Sequence, residues 1–222
     1  MIFFEKTSNP PACLAKEKTK ANGDHKCGDV LKRLKDEFKN KCYICEYKEP
    51  HTINVEHLRP HKGDIEKKFD WSNLFWSCGH CNNIKLGNFI NIINCTIKTE
   101  RVEERISLKM DPFPMEKVIV TAIENDLATL ETVELLDRVY NGTTQLKTIE
   151  AANLRNSILN EIKDFQDQLC SFYKTENDDN DSEYFKIKIK NHLSDSTNFT
   201  AFKRQIIRKN PRLKADFEQF FT

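Results

Sequence analysis

The chain has 222 residues, 38% hydrophobic and 31% charged, with a formal net charge of +1 at pH 7. That length suits one moderate domain or two small ones, and the near-neutral charge excludes a protein that coats nucleic acid through bulk electrostatics. No long apolar run occurs, and the opening MIFFEKTSNPPACLAKEK lacks a basic stretch leading into an apolar core, so neither a membrane span nor a secretory signal is expected and the cytoplasm is the default location.

In chain order, DVLKRLKDEFKN at 29–40 places Leu31, Leu34 and Phe38 on one face of a short helix, with Asp29 able to cap its start. From Cys42 to about Phe89 the pattern becomes a C-x-x-C turn, a strand-like TINVEH, a polar loop, the aromatic run WSNLFWS and a second C-x-x-C. Trp71, Phe75 and Trp76 in that run suit packing of a small hairpin against a helix, with base stacking as the alternative. After Asp111, DPFPMEKVIVTAIENDLATLETVELLDRVYNG begins with proline punctuation, then reads as one or two short strands and a helix ending at Asn141-Gly142. Thr144 to Tyr173 carries the longest helical signal, with Leu154, Ile158, Ile162, Phe165 and Leu169 forming one apolar stripe. The acidic KTENDDNDSEY at 174–184 reads as a loop or linker. Beyond it, Lys203, Arg204, Arg208, Lys209, Arg212 and Lys214 form a basic cluster that reads as a solvated face or a track for phosphates.

Eight cysteines occur, and four form the pairs Cys42-x-x-Cys45 and Cys78-x-x-Cys81 with 32 residues between them. Each such turn holds two sulfurs within reach of one ion, so a closed four-thiolate structural zinc site is expected, supplying folding free energy that a piece of about fifty residues lacks on its own. His80, inside the second pair, is the alternative ligand. Cys13, Cys27, Cys95 and Cys170 stand alone and read as free or buried thiols.

Between the pairs lies NVEHLRPH, and NNIK follows Cys81. The order C-x-x-C, Glu-His-x-x-Pro, Asn-Leu, C-x-x-C-Asn-x-x-Lys resembles the HNH nuclease motif, whose fold is a two-stranded hairpin and one helix around a catalytic metal. The resemblance implies that Glu56 is the acidic metal ligand, His57 the general base, Asn73 the brace of the loop, and Asn82 the second ligand of Mg²⁺ or Mn²⁺. It also implies that Lys85 faces the site and approaches phosphate, and Arg59 beside Pro60 is a further candidate phosphate contact. His51 and His61 have no role in the motif. Such an enzyme hydrolyses phosphodiester bonds of DNA to 5′-phosphate and 3′-hydroxyl ends. Hard oxygen ligands suit Mg²⁺ or Mn²⁺, and an imidazole with a pKa near the working pH suits proton removal from water.

The expected chain is therefore α+β and mainly helical. It divides into an N-terminal segment 1–37 with a lead-in helix, a zinc-stabilised ββα-metal nuclease module at 38–110, and a mostly helical region at 111–222. LKDEFKNKCYICE, the stretch around the motif, and ELLDRVYNGTTQLKTIEAANLR extend the resemblance to the nuclease subunits (PtuB) of Septu-type and retron-associated anti-phage systems. That resemblance implies an ABC-type ATPase partner, PtuA, and the chain itself carries no Walker A loop. A stand-alone restriction or homing nuclease, and a non-catalytic zinc module that binds nucleic acid, are the alternatives.

Overall fold

The computed structural model describes residues 1–113, 116–174 and 179–221. In chain order the elements are α1 (Ala12–Lys18), α2 (Gly28–Glu37), β1 (Ile53–His57), α3 (Ile65–Lys68), β2 (Leu74–Cys78), α4 (Gly79–Lys85), α5 (Val102–Arg105), β3 (Ile106–Asp111), β4 (Lys117–Ala122), α6 (Leu127–Asn141), α7 (Gln145–Lys174), α8 (Asp179–Leu193), α9 (Thr200–Lys209) and α10 (Pro211–Phe217). The chain is α+β and mainly helical, and its two sheets are antiparallel hairpins, β1–β2 and β3–β4. Among the described residues no helix is long and apolar enough to cross a membrane.

The first hairpin positions the site. Glu56 pairs with Phe75 and His57 with Leu74, so the last two residues of β1 sit at the loop end of the ladder, where the long connection to β2 begins. Every residue of β2 is buried, and Phe75 packs against Tyr43 and Phe38. Trp71, Phe75 and Trp76 are all core residues, which settles that run as packing. The first cysteine turn is joined to the second strand by the Tyr43 N–H donating to the Trp76 carbonyl at 3.0 Å. Helix α4 starts at Cys78, whose sulfur accepts from the Cys81 N–H. Gly79 is required there, since a Cβ would stand 2.5 Å from the Thr52 hydroxyl.

One apolar core joins residues from all three expected segments, from Ile2 and Phe4 through Phe75 and Ile92 to Leu136, Ile158 and Phe202. A smaller cluster forms where Phe165 and Leu169 of α7 meet Ile189 and Leu193 of α8 and Phe217 of α10. The α7 stripe is core as expected, with Ile162 at its margin. The 110/111 boundary falls inside the β3–β4 hairpin, where Asp111 pairs with Lys117. Helix α6 ends at Asn141 with Gly142 at φ +81°, as the Asn-Gly pair anticipates, and a Cβ at Gly142 would meet the Thr148 backbone at 2.6 Å.

Several expectations are corrected. The α2 face is built from Val30, Leu34 and Phe38, while Leu31 is exposed, and Cys27, not Asp29, precedes the helix. Asp29 instead lies in the first turn, where its charge favours the helix dipole. Within 174–184, Lys174 ends α7 and 179–184 belong to α8; residues 175–178 lie outside the described residues. Acidic side chains such as Asp181 and Glu183 are favourable near a helix N-terminus, and the buried Ile189 and Leu193 anchor the other end. The basic cluster divides: Lys203 pairs with Glu161, and Arg204 and Arg208 both clasp Glu103 beside β3. Those three cations are internal fasteners of α9, because burying a charge is tolerable only with a partner. Cys13 and Cys27 form a disulfide between α1 and the start of α2, whereas Cys95 is a buried thiol and Cys170 an exposed one.

Candidate functional site

The sulfurs of Cys42, Cys45, Cys78 and Cys81 all lie within 4.8 Å of one another, and all four residues are buried. A tetrahedron with metal–sulfur bonds of about 2.3 Å has edges of about 3.8 Å, and the Cys45–Cys78 sulfur separation is 3.9 Å. Burial opposes ionisation of each thiol. Cys42 is nevertheless held well below the ordinary range by S–H groups of Cys45, Cys78 and Cys81, while burial pushes Cys45 and Cys81 well up. Four sulfurs so placed cannot all ionise without a cation, and with one they can hold a metal ion such as zinc. His80 is engaged elsewhere, with Nδ1 2.6 Å from Glu150 and Nε2 donating to the Val139 carbonyl at 2.8 Å. It ties the knuckle to α6 and α7. No second group of three His, Cys, Asp or Glu ligands converges among the described residues.

A cleft of about 340 Å³ is lined by Val55, Glu56, His57, His61, Asn82 and Leu86, together with Pro60, Lys62 and Gly87. Strand β1 brings Glu56 and His57 to its lining, and α4 brings Asn82. The His57 Nε2 lies 3.0 Å from the Lys68 carbonyl, which can only accept, so Nε2 bears the hydrogen and Nδ1 keeps its lone pair. Burial holds the His57 pKa below the ordinary value, so the ring is a neutral proton acceptor near pH 7.

Glu56 is buried, at 6% exposure. Its Oε1 accepts from the Lys85 ammonium at 2.7 Å and its Oε2 from the Tyr43 hydroxyl at 3.0 Å. Burial raises the Glu56 pKa to about 7 against the opposing pull of Lys85 and Tyr43. A carboxylate offers about four lone-pair positions, of which these bonds take two. The remaining lone pairs and the Asn82 carboxamide oxygen are hard oxygen donors lining the same cleft.

Asn73 lies outside this cleft and braces the loop. Its carboxamide donates to the carbonyls of Arg59 at 2.8 Å and Lys67 at 3.1 Å, and accepts from the Arg59 N–H at 2.7 Å. Lys85 is fully buried, and its ammonium is spent on Glu56 and on the His57 carbonyl at 3.1 Å. This is a correction to its expected approach to phosphate: a side chain rising from α4 into the hairpin interior meets the buried carboxylate first. Arg59 turns to a neighbouring cavity of about 330 Å³, where it donates to the Ile92 carbonyl at 3.0 Å.

Two histidines were not expected at the site. His61 packs against the His57 ring at 4.7 Å between centroids, and His25 at 4.6 Å. The position of His61 four residues after His57, across Pro60, is the one sequence signal for it; none marks His25. His51 is exposed, on a separate cavity beside Cys45 and Cys78. The chain matches no protein-family model and no curated protein.

Proposed function

We propose that the chain is a metal-dependent HNH-type endonuclease that hydrolyses phosphodiester bonds in DNA. The observation that carries this reading is the convergence of Glu56, His57 and Asn82 on one cleft, built on a hairpin and helix pinned by four cysteines. Glu56 and Asn82 would hold Mg²⁺ or Mn²⁺, and the cysteine cluster a structural zinc. A divalent ion held there would supply charge neutralisation for phosphodiester hydrolysis. His57 Nδ1 takes the proton of the attacking water, while the Lys68 carbonyl keeps the ring in the tautomer that can do so. Asn73 holds the loop that carries Lys67 and Lys68 in place. Products with 5′-phosphate and 3′-hydroxyl ends, and membership of a Septu-type defence complex with an ABC-type ATPase, follow from the family resemblance. Exposed Leu146 and Ile149 on α7 offer apolar surface of the kind a partner covers.

A second reading is favoured by one feature: both Glu56 oxygens already have protein partners, as they would in a non-catalytic zinc module. The test is cleavage of plasmid DNA with Mg²⁺ or Mn²⁺ by wild type, His57→Ala and Asn82→Ala, with and without a co-expressed ATPase. Loss of about 10²–10⁴-fold in rate is expected for His57→Ala, the range for removing a general base. A folded His57→Ala chain that cuts at the wild-type rate sinks the catalytic reading in favour of the second.

A further inference from the structure

The disulfide between Cys13 and Cys27 closes a loop that ends on the candidate base. Inside it, α1 runs into a turn at 19–26, held by the Gly23 N–H donating to the Lys20 carbonyl and the Asp24 N–H to Glu17. Gly23 is buried where a Cβ would lie 1.8 Å from the Glu17 carbonyl oxygen and 3.2 Å from the Phe69 ring, so the turn presses onto the segment after α3. The Lys68 ammonium donates to the Gly23 carbonyl at 2.9 Å, and the carbonyl of that same Lys68 accepts from His57. Two residues after Gly23, His25 lays its ring against His57 at 4.6 Å.

His25 is an odd residue for a merely structural place. Both its ring nitrogens are buried without a hydrogen bond, the Val55 backbone favouring its protonated form only weakly. Burial, with His57 beside it, holds its pKa down at about 4, so it is a neutral ring at neutral pH. What it supplies to His57 is a tilted ring contact, with 58° between the two planes. Together with the His61 ring, 4.7 Å from that of His57, this contact limits the room in which the His57 ring can turn.

We propose that the disulfide-closed loop is a redox-sensitive clamp on His57, and that His25 is the positioning residue through which it acts. The proposal rests on His57 being the general base. Both cysteines are partly buried, not sealed. Opening takes two electrons and two protons from a dithiol reductant. One thiolate of the reductant attacks a sulfur of the pair and releases the other cysteine; its second thiol then resolves the mixed disulfide. The chain gains two thiols and the reductant becomes a disulfide. The freed loop no longer holds His25 on His57.

The experiment measures modification of His57 by diethyl pyrocarbonate, mapped by peptide mass spectrometry, beside cleavage of plasmid DNA. It compares wild type oxidised and after dithiothreitol, Cys13→Ser/Cys27→Ser, His25→Ala and His25→Phe, with zinc content and circular dichroism as controls for folding. Reduction, the double serine variant and His25→Ala should each speed His57 modification and lower kcat about tenfold, with KM unchanged, as expected for a misplaced base. His25→Phe should restore both, and reduction should add nothing in His25→Ala. Unchanged His57 reactivity after the disulfide is shown open by thiol labelling overturns the clamp. So does a His25→Phe chain as impaired as His25→Ala. If His57→Ala still cuts DNA, the nuclease reading fails, while pyrocarbonate protection of His57 reports on the clamp independently.

Discussion

Replacing Lys85 by methionine tests how the site is held together. The Lys85 ammonium and the Glu56 carboxylate meet at 2.7 Å with side-chain exposures of 0% and 7%, so neither charge has water as an alternative partner. Removing one member of such a pair costs about 3–5 kcal/mol, chiefly because the other is left buried and uncompensated. Glu56→Gln should cost a similar amount by stranding the ammonium. The double variant strands nothing, since Gln can still accept from Tyr43 and Met fills the lysine stem's volume; its deficit should fall below either single one. That makes the coupling at least about 3 kcal/mol, since it then exceeds either single cost. Urea unfolding in zinc-saturated buffer at constant m-value measures all three. The pH dependence supplies the sign. The Glu56 pKa of about 7 in the fold lies above its ordinary 4.5, so the folded state binds the extra proton and this group's contribution falls as pH rises from 4.5 through 7. Loss of Lys85 removes a cation that lowers that pKa, so the Lys85→Met deficit should be larger at pH 8 than at pH 6. A deficit under about 1 kcal/mol at pH 8, or one equal at both pH values, would refute the buried-pair account.

Two further outcomes follow from the geometry. Cys78→Ser should reduce bound zinc from about one ion per chain to nearly none and cooperatively destabilise the hairpin, as checked by elemental analysis and thermal melting; full zinc content in a folded variant would remove the four-cysteine assignment. Leu86 ends α4 at φ 43° and ψ −140° while 60% exposed, a backbone region that costs a side-chain-bearing residue about 1–3 kcal/mol. Leu86→Gly should therefore raise the melting temperature by several degrees, reflecting a net gain of about 1 kcal/mol after glycine's own entropy cost, and an unchanged or lower value would show the rim to be unstrained.

Much of the architecture was legible because it is written in local periodicity. The α7 stripe, the end of α6 at Asn141-Gly142 and the paired cysteine turns each depend on residues a few positions apart. Fine placement was less legible. The choice between Val30 and Leu31 for the buried face of α2 depends on which side of the helix the core meets, and both residues neighbour the Leu34–Phe38 stripe. The acidic start of α8 read as a linker because its anchoring residues, Ile189 and Leu193, lie well downstream.

By itself, the sequence determined which chemical groups this protein has to work with: four thiols spaced for one metal, a Glu-His pair, and asparagines that can brace or ligate. Only the tertiary structure decided how those groups are shared. Lys85 belongs to Glu56, Arg204 and Arg208 belong to Glu103, and the His57 ring is flanked by His61 and by His25 from a disulfide-closed loop. The physical reason is that spacing along the chain constrains neighbours within a turn or a strand, whereas the partner of a buried charge or ring is set by which distant surfaces the apolar core brings face to face.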